Sequence, residues 1–108
     1  MLNSVQIISE IGVNHNGNIN IAKKIISNLK NIDLDFIKIQ TYITDNIVKK
    51  KTKLANYQKK NLRKINNQYD LLKKYELSFE QIEILKNYIE INKKRFLTSV
   101  FDIESLMF

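Results

Sequence analysis

Two short β-branched runs separated by a single amphipathic stretch constrain this chain more than any other feature. Val5 to Ile11 is apolar, rich in β-branched residues and too short for a helix, so it predicts a strand. Gly12 to Asn18 follows as a loop, and it holds both glycines of the chain, Gly12 and Gly17. Backbone freedom is therefore concentrated in one place. From Ile19 the apolar positions Ala22, Ile25, Ile26, Leu29 and Ile32 recur at helical spacing, which predicts a helix over 19–32. Asp35 to Gln40 reads as a second strand. Strand, helix and strand within about 36 residues form the βαβ unit of a parallel sheet.

The rest of the chain extends that unit. Thr41 to Asn67 is polar, basic and long for a loop between a strand and a helix, so it reads as an insertion carrying short helices. Tyr69, Leu71 and Leu72 begin another ordered piece. Ser78-Phe79-Glu80-Gln81 fits a capping box, with Leu77 and Ile82 placed as its hydrophobic staple. Phe79, Ile82, Leu85 and Ile89 give the buried stripe of a helix over 79–92. Arg95 to Ser99 is a third strand, and Asp102 opens a third helix. There is no internal repeat. Three parallel strands alone leave two edges and a bare face. The expected fold class is therefore α/β, the first three βα units of a (β/α)₈ barrel, truncated. Residues 1–108 form one partial domain, a length suited to one small domain and not to two.

Composition narrows the function classes. There are no cysteines, so neither a disulfide framework nor a thiolate metal site is available. No apolar run approaches the roughly 20 residues of a spanning helix, and Met1-Leu2-Asn3-Ser4 lacks the start of a signal peptide. The expectation is a cytoplasmic chain without membrane contact. The net charge of +7 raises nucleic acid as a partner. The excess is nearly all lysine, with Arg63 and Arg95 the two arginines, and it accompanies abundant asparagine and isoleucine. That is the bias of an AT-rich coding sequence, and Lys49-Lys50-Lys51-Thr52-Lys53 reads as a solvated charge run. A small basic nucleic-acid-binding or interaction domain is the alternative from another class. It would show salt-dependent binding and a fold complete within this length. The interleaving of aromatic and basic residues that marks an RNA-binding sheet is not evident, so no nucleic acid partner is expected.

The strongest chemical signal lies in Phe36-Ile37-Lys38-Ile39-Gln40. A period of two puts Lys38 and Gln40 on one face and Ile37 and Ile39 on the other. A parallel strand covered on both faces should be almost wholly apolar, so a lysine and a glutamine facing inward call for a ligand or a partner. The other reading is a solvated face at a sheet edge. Glu10, Gln40 and Ser99 all fall near the carboxyl ends of their strands, where barrel active sites are built. In the polar loop Asn14-His15-Asn16-Gly17, His15 is the sole histidine and makes no convincing metal site. A loop histidine among asparagines is more often a hydrogen-bonding turn residue. Tyr57 and Tyr69 suit either binding or packing.

Several segments together resemble the N-acetylneuraminate (sialic acid) synthase family. Ile7-Ile8-Ser9-Glu10-Ile11-Gly12-Val13-Asn14-His15-Asn16-Gly17 is similar to the family's opening "AEIGxNHNG". Asp35 to Tyr42 resembles its second strand, "AxxVKFQTF". Tyr57 to Asn61 and Gln68 to Ser78 resemble its insertion, and Phe96 to Asp102 matches "FLSTPFD". Val100 stands where proline is usual, and Ser99 where threonine is common. Asn31 to Leu34 replaces a glycine-containing turn.

The resemblance implies condensation of phosphoenolpyruvate with an N-acetylated amino sugar such as N-acetylmannosamine, with release of phosphate. It implies catalytic roles for Glu10, Lys38 and Gln40, and substrate contacts from Ser99, Asn14 and Phe101. It further implies a divalent metal, manganese or magnesium, whose ligands lie outside this chain, and a homodimer for the full-length family. No metal ligand is assigned here. Pseudaminic acid synthases are the neighbouring alternative, but Tyr75-Glu76-Leu77-Ser78 resembles the neuraminic or legionaminic branch. The isolated chain is expected to be inactive.

Overall fold

The computed structural model of the chain describes residues 5–50 and 67–108. The elements are β1 (Ile8–Gly12), α1 (Ile19–Leu29), β2 (Phe36–Thr41), α2 (Thr44–Ile47), α3 (Gln68–Tyr75), α4 (Phe79–Ile91), β3 (Arg95–Val100) and α5 (Ile103–Met107). One sheet holds the strands in the order β1-β2-β3, and both pairings are parallel. The α/β reading and the parallel sheet both hold.

Local sequence explains where the helices start. Asn18 caps α1 by accepting from Asn20 N at 2.8 Å and Ile21 N at 3.2 Å. At α4 the expected capping box forms in full: Ser78 Oγ accepts from Gln81 N at 3.2 Å, and Gln81 Oε1 accepts from Ser78 N at 2.9 Å. Helix α1 ends at Leu29, three residues short of the expected boundary, and Ile32 beyond it is half exposed. Its apolar spacing continues the helical period by coincidence, because Lys30–Asp33 already turn toward β2. Strand β1 also starts later than expected. Val5, Ile7 and Ile8 are exposed, and paired register begins at Ile8 opposite Phe36.

The core lies on one face of the sheet. Ile11, Ile37 and Ile39 point into it and meet Ala22 and Ile26 of α1 and Ile82, Leu85 and Ile89 of α4, with Leu77 beside them. Phe79, expected in this stripe, is only half buried and stacks on Phe108 with centroids 4.4 Å apart. Clustering these aliphatic side chains away from water is what holds the two helices on the sheet.

The insertion begins as expected with a short helix, α2, tied to α3. Tyr42 Oη donates to Leu72 O at 2.9 Å, and Thr44 N donates to Glu76 Oε2 at 2.8 Å. Tyr69 Oη donates to Asp45 Oδ1 at 2.8 Å, so this tyrosine fastens α3 to α2. The charge run Lys49–Lys53 leaves the described residues at position 51, and Arg63, Tyr57 and the Tyr57–Asn61 segment lie outside them. Among the described residues no helix is long and apolar enough to cross a membrane.

Candidate active site

Alternation along β2 sends Ile37, Ile39 and Thr41 to the helix-covered face and Phe36, Lys38 and Gln40 to the other. Parallel pairing then decides their neighbours. Lys38 sits opposite Glu10 on β1 and Leu97 on β3, and Gln40 sits opposite Ser99. Between Glu10 and Gly12 the register slips by one residue, a bulge that leaves Ile11 in the core and turns the chain into its first loop.

The side chains converge as the register requires. Lys38 Nζ lies 3.0 Å from Glu10 Oε2, and Gln40 Nε2 donates to Glu10 Oε1 at 3.2 Å. The Lys38 ammonium holds the Glu10 carboxyl below its usual value, and the Gln40 amide acts in the same direction. Glu10 is thus an ionised acceptor at neutral pH. A pair this open to water contributes little to stability. Lys38 carries further N–H donors beyond the one it gives to Glu10.

Ser99 completes the row beside Gln40. Asn14 lies exposed on the loop leaving β1, where its backbone N–H donates to Ile11 O at 3.0 Å. Phe101, past the end of β3, is 54% exposed and meets Tyr42 edge to face with centroids 6.4 Å apart. The structure therefore brings Glu10, Lys38 and Gln40 into direct contact and sets Ser99 alongside. Asn14 and Phe101 sit on loops at the same end of the sheet. At the opposite end the Arg95 guanidinium lies 4.0 Å over the Phe36 ring and 3.2 Å from Asp35 Oδ1.

His15 is buried, and its Nδ1 accepts from Gly17 N at 2.9 Å. Burial lowers the pKa of this imidazole, opposed by a hydrogen bond with the Gly12 backbone. The ring braces the glycine loop, in keeping with the turn reading. Among the described residues no three of His, Cys, Asp and Glu converge as a metal site.

Asp102 is the residue whose reach the sequence hides. It caps α5, and its carboxylate also accepts from Ile43 N at 2.9 Å and Asn46 Nδ2 at 3.2 Å. Desolvation pushes its pKa up, but the N–H groups of Ser105 and Ile43, with Ser105 Oγ and Asn46, outweigh it and hold the group at about 2. A folded value below the ordinary 3.8 means that the stabilisation is complete above that value and fades as pH falls to about 2. Urea midpoints of the chain should therefore drop between about pH 4 and pH 2. Asp102→Asn should show a smaller drop over the same window; parallel curves would contradict the assignment.

Residues 25–108 match the NeuB family. The chain is 37% identical over 102 residues to the N,N'-diacetyllegionaminic acid synthase of Legionella pneumophila, covering 94% of this chain and 29% of that one. It is 36% identical over 100 residues to the enzyme of the same name from Campylobacter jejuni, covering 93% of this chain and 30% of that one. The chain thus spans about 30% of the length of the curated relatives it matches. Its fold is similar to the crystal structure of N-acetylneuraminic acid (sialic acid) synthetase from Leptospira borgpetersenii in complex with citrate. There the TM-score is 0.74 at 24% identity, over 97% of this chain and 32% of that one.

Proposed function

This chain belongs to the NeuB family, and on that footing we propose that it supplies the first wall of a synthase active site. In that site phosphoenolpyruvate condenses with N-acetylmannosamine or a related amino sugar. The observation that carries the reading is the Glu10–Lys38–Gln40 cluster, with Ser99 beside it, on the uncovered face of a parallel sheet. In a closed (β/α)₈ barrel that face becomes the interior, and the carboxyl ends of the strands become the floor of the site.

Carbon 3 of phosphoenolpyruvate attacks the aldehyde carbon of the open-chain sugar, and the aldehyde oxygen takes up a proton. Water adds at carbon 2, and phosphate departs with cleavage of its C–O bond. Lys38 and Ser99 supply N–H and O–H donors to a ligand that carries a carboxylate and a phosphate. Glu10, ionised and held by Lys38 and Gln40, is an acceptor suited to handling a proton at the sugar or the attacking water. Gln40 can orient Glu10 and donate to the sugar. Asn14 and Phe101 contribute substrate contacts from the loops. The divalent ion implied by the resemblance, manganese or magnesium, finds no ligand set among the described residues. The names of the curated relatives favour a product of the legionaminic type.

The test is a hybrid in which residues 1–108 replace the corresponding segment of the Legionella pneumophila synthase. Phosphate release is followed with phosphoenolpyruvate, manganese and either N-acetylmannosamine or a sugar carrying both acetamido groups. The hybrid should turn over only when enol-phosphate and sugar are both present, and the 108-residue chain alone should not. A folded hybrid that releases no phosphate with either sugar would contradict the reading.

A further inference from the structure

We propose that Asp102 is a positioning residue of this site, clasping the loop after β3 to the loop after β2 and so fixing Ser99 and Phe101 relative to Gln40. The inference rests on the synthase reading for its catalytic meaning, but its geometry stands alone. Helix capping requires only the bond from Ser105 N to Asp102 Oδ1, at 2.9 Å. The carboxylate does more. Oδ2 also accepts from Ser105 Oγ at 2.7 Å and from Ile43 N at 2.9 Å, and Oδ1 accepts from Asn46 Nδ2 at 3.2 Å.

All four partners of the carboxylate are donors, so an acceptor-only group is required to take them together. With each oxygen already holding two donors, Asp102 has little left for substrate and acts through the loops it joins. Two further bonds show what is being aligned. Phe101 N donates to Thr41 O at 3.3 Å, and on the helix-covered face Thr41 Oγ1 and Thr98 Oγ1 are 2.7 Å apart. The carboxyl ends of β2 and β3 are thus pinned within the sheet, and Asp102 pins them again just past it. Gln40 lies directly before Thr41, and Ser99 lies between Thr98 and Phe101. A clasp here sets the distance across which a ligand must be gripped.

Asp102→Ser separates the two roles, because serine still caps a helix but cannot span to Ile43 and Asn46. In the hybrid synthase, Asp102→Ser should raise the KM for phosphoenolpyruvate about tenfold while kcat changes less than about threefold. Asn46→Ala, which leaves the cap intact, should move the same KM in the same direction by a smaller factor. A role confined to folding would lower the amount of active enzyme and leave KM alone, and an unchanged KM in Asp102→Ser overturns the proposal. Amide exchange in the 108-residue chain decides the clasp without any turnover. Asp102→Ser should speed exchange at Ile43 at least about tenfold and leave Ile37 and Ile39 unchanged. Unaltered exchange at Ile43 overturns the clasp itself. An unsubstituted hybrid that is inactive overturns the synthase reading and with it the catalytic part of this proposal.

Discussion

Replacing Lys38 by methionine in the hybrid synthase should lower turnover about 10²–10³-fold while leaving the fold intact. The size follows from removing a cation at the centre of the row formed by Glu10, Gln40 and Ser99. Methionine keeps the length of the side chain and removes its charge and its donors. The fold should tolerate the change because Lys38 projects from the uncovered face, whereas Ile37 and Ile39 beside it carry the packing. Its ion pair with Glu10 is open enough to water that losing it should leave thermal melting nearly unchanged. Turnover and thermal melting measured on the same preparation separate the two effects. Equal turnover in the variant would remove Lys38 from the chemistry.

The second large effect is on folding. Gly17→Ala should destabilise the chain by about 3 kcal/mol or more, a large part of what a domain of this size has to spare. Gly17 has φ +70°, and a Cβ there would collide with the carbonyl oxygen of Lys74 at the end of α3. The backbone of α3 cannot swing aside as a side chain tip could. Gly12 gives the control. Its φ is +57°, but the nearest atom to an added Cβ is Glu10 Cγ at 3.9 Å, so Gly12→Ala should cost only about 1 kcal/mol. Urea unfolding of both variants checks the ranking; equal losses would mean that the loop does not dock on α3 as closely as the structure has it.

Local rules made much of this fold legible. The capping box at Ser78 is written in four consecutive residues and forms as written. The two faces of β2 follow from a period of two, so Lys38 and Gln40 could be placed on one side from six residues of sequence. Glu10 and Ser99 could be set at the strand ends, but their neighbours could not. The Glu10–Lys38 pair depends on a register that slips at Ile11, and nothing in an apolar β-branched run announces a bulge. Ile32 shows the opposite failure, where helical spacing persisted after the helix had ended.

Asp102 was legible as a helix start and no more. Its partners Ile43 and Asn46 lie 59 and 56 positions earlier in the chain, beyond any local rule. The same limit applied to Tyr69, whose bond to Asp45 spans 24 positions and ties α3 to α2. Sequence reasoning therefore singled out the polar groups of the candidate site, and the structure supplied the contacts between them.

Under the proposed function, the uncovered face of the sheet grips phosphoenolpyruvate. The most direct measurement is a crystal structure of the hybrid synthase with that ligand bound. Its carboxylate or phosphate oxygens should lie within hydrogen-bond reach of Lys38 Nζ and Ser99 Oγ, about 2.7–3.2 Å, with Glu10 and Gln40 flanking the reacting carbon. A ligand bound away from this row, or Lys38 turned into the helical layer, would contradict the account.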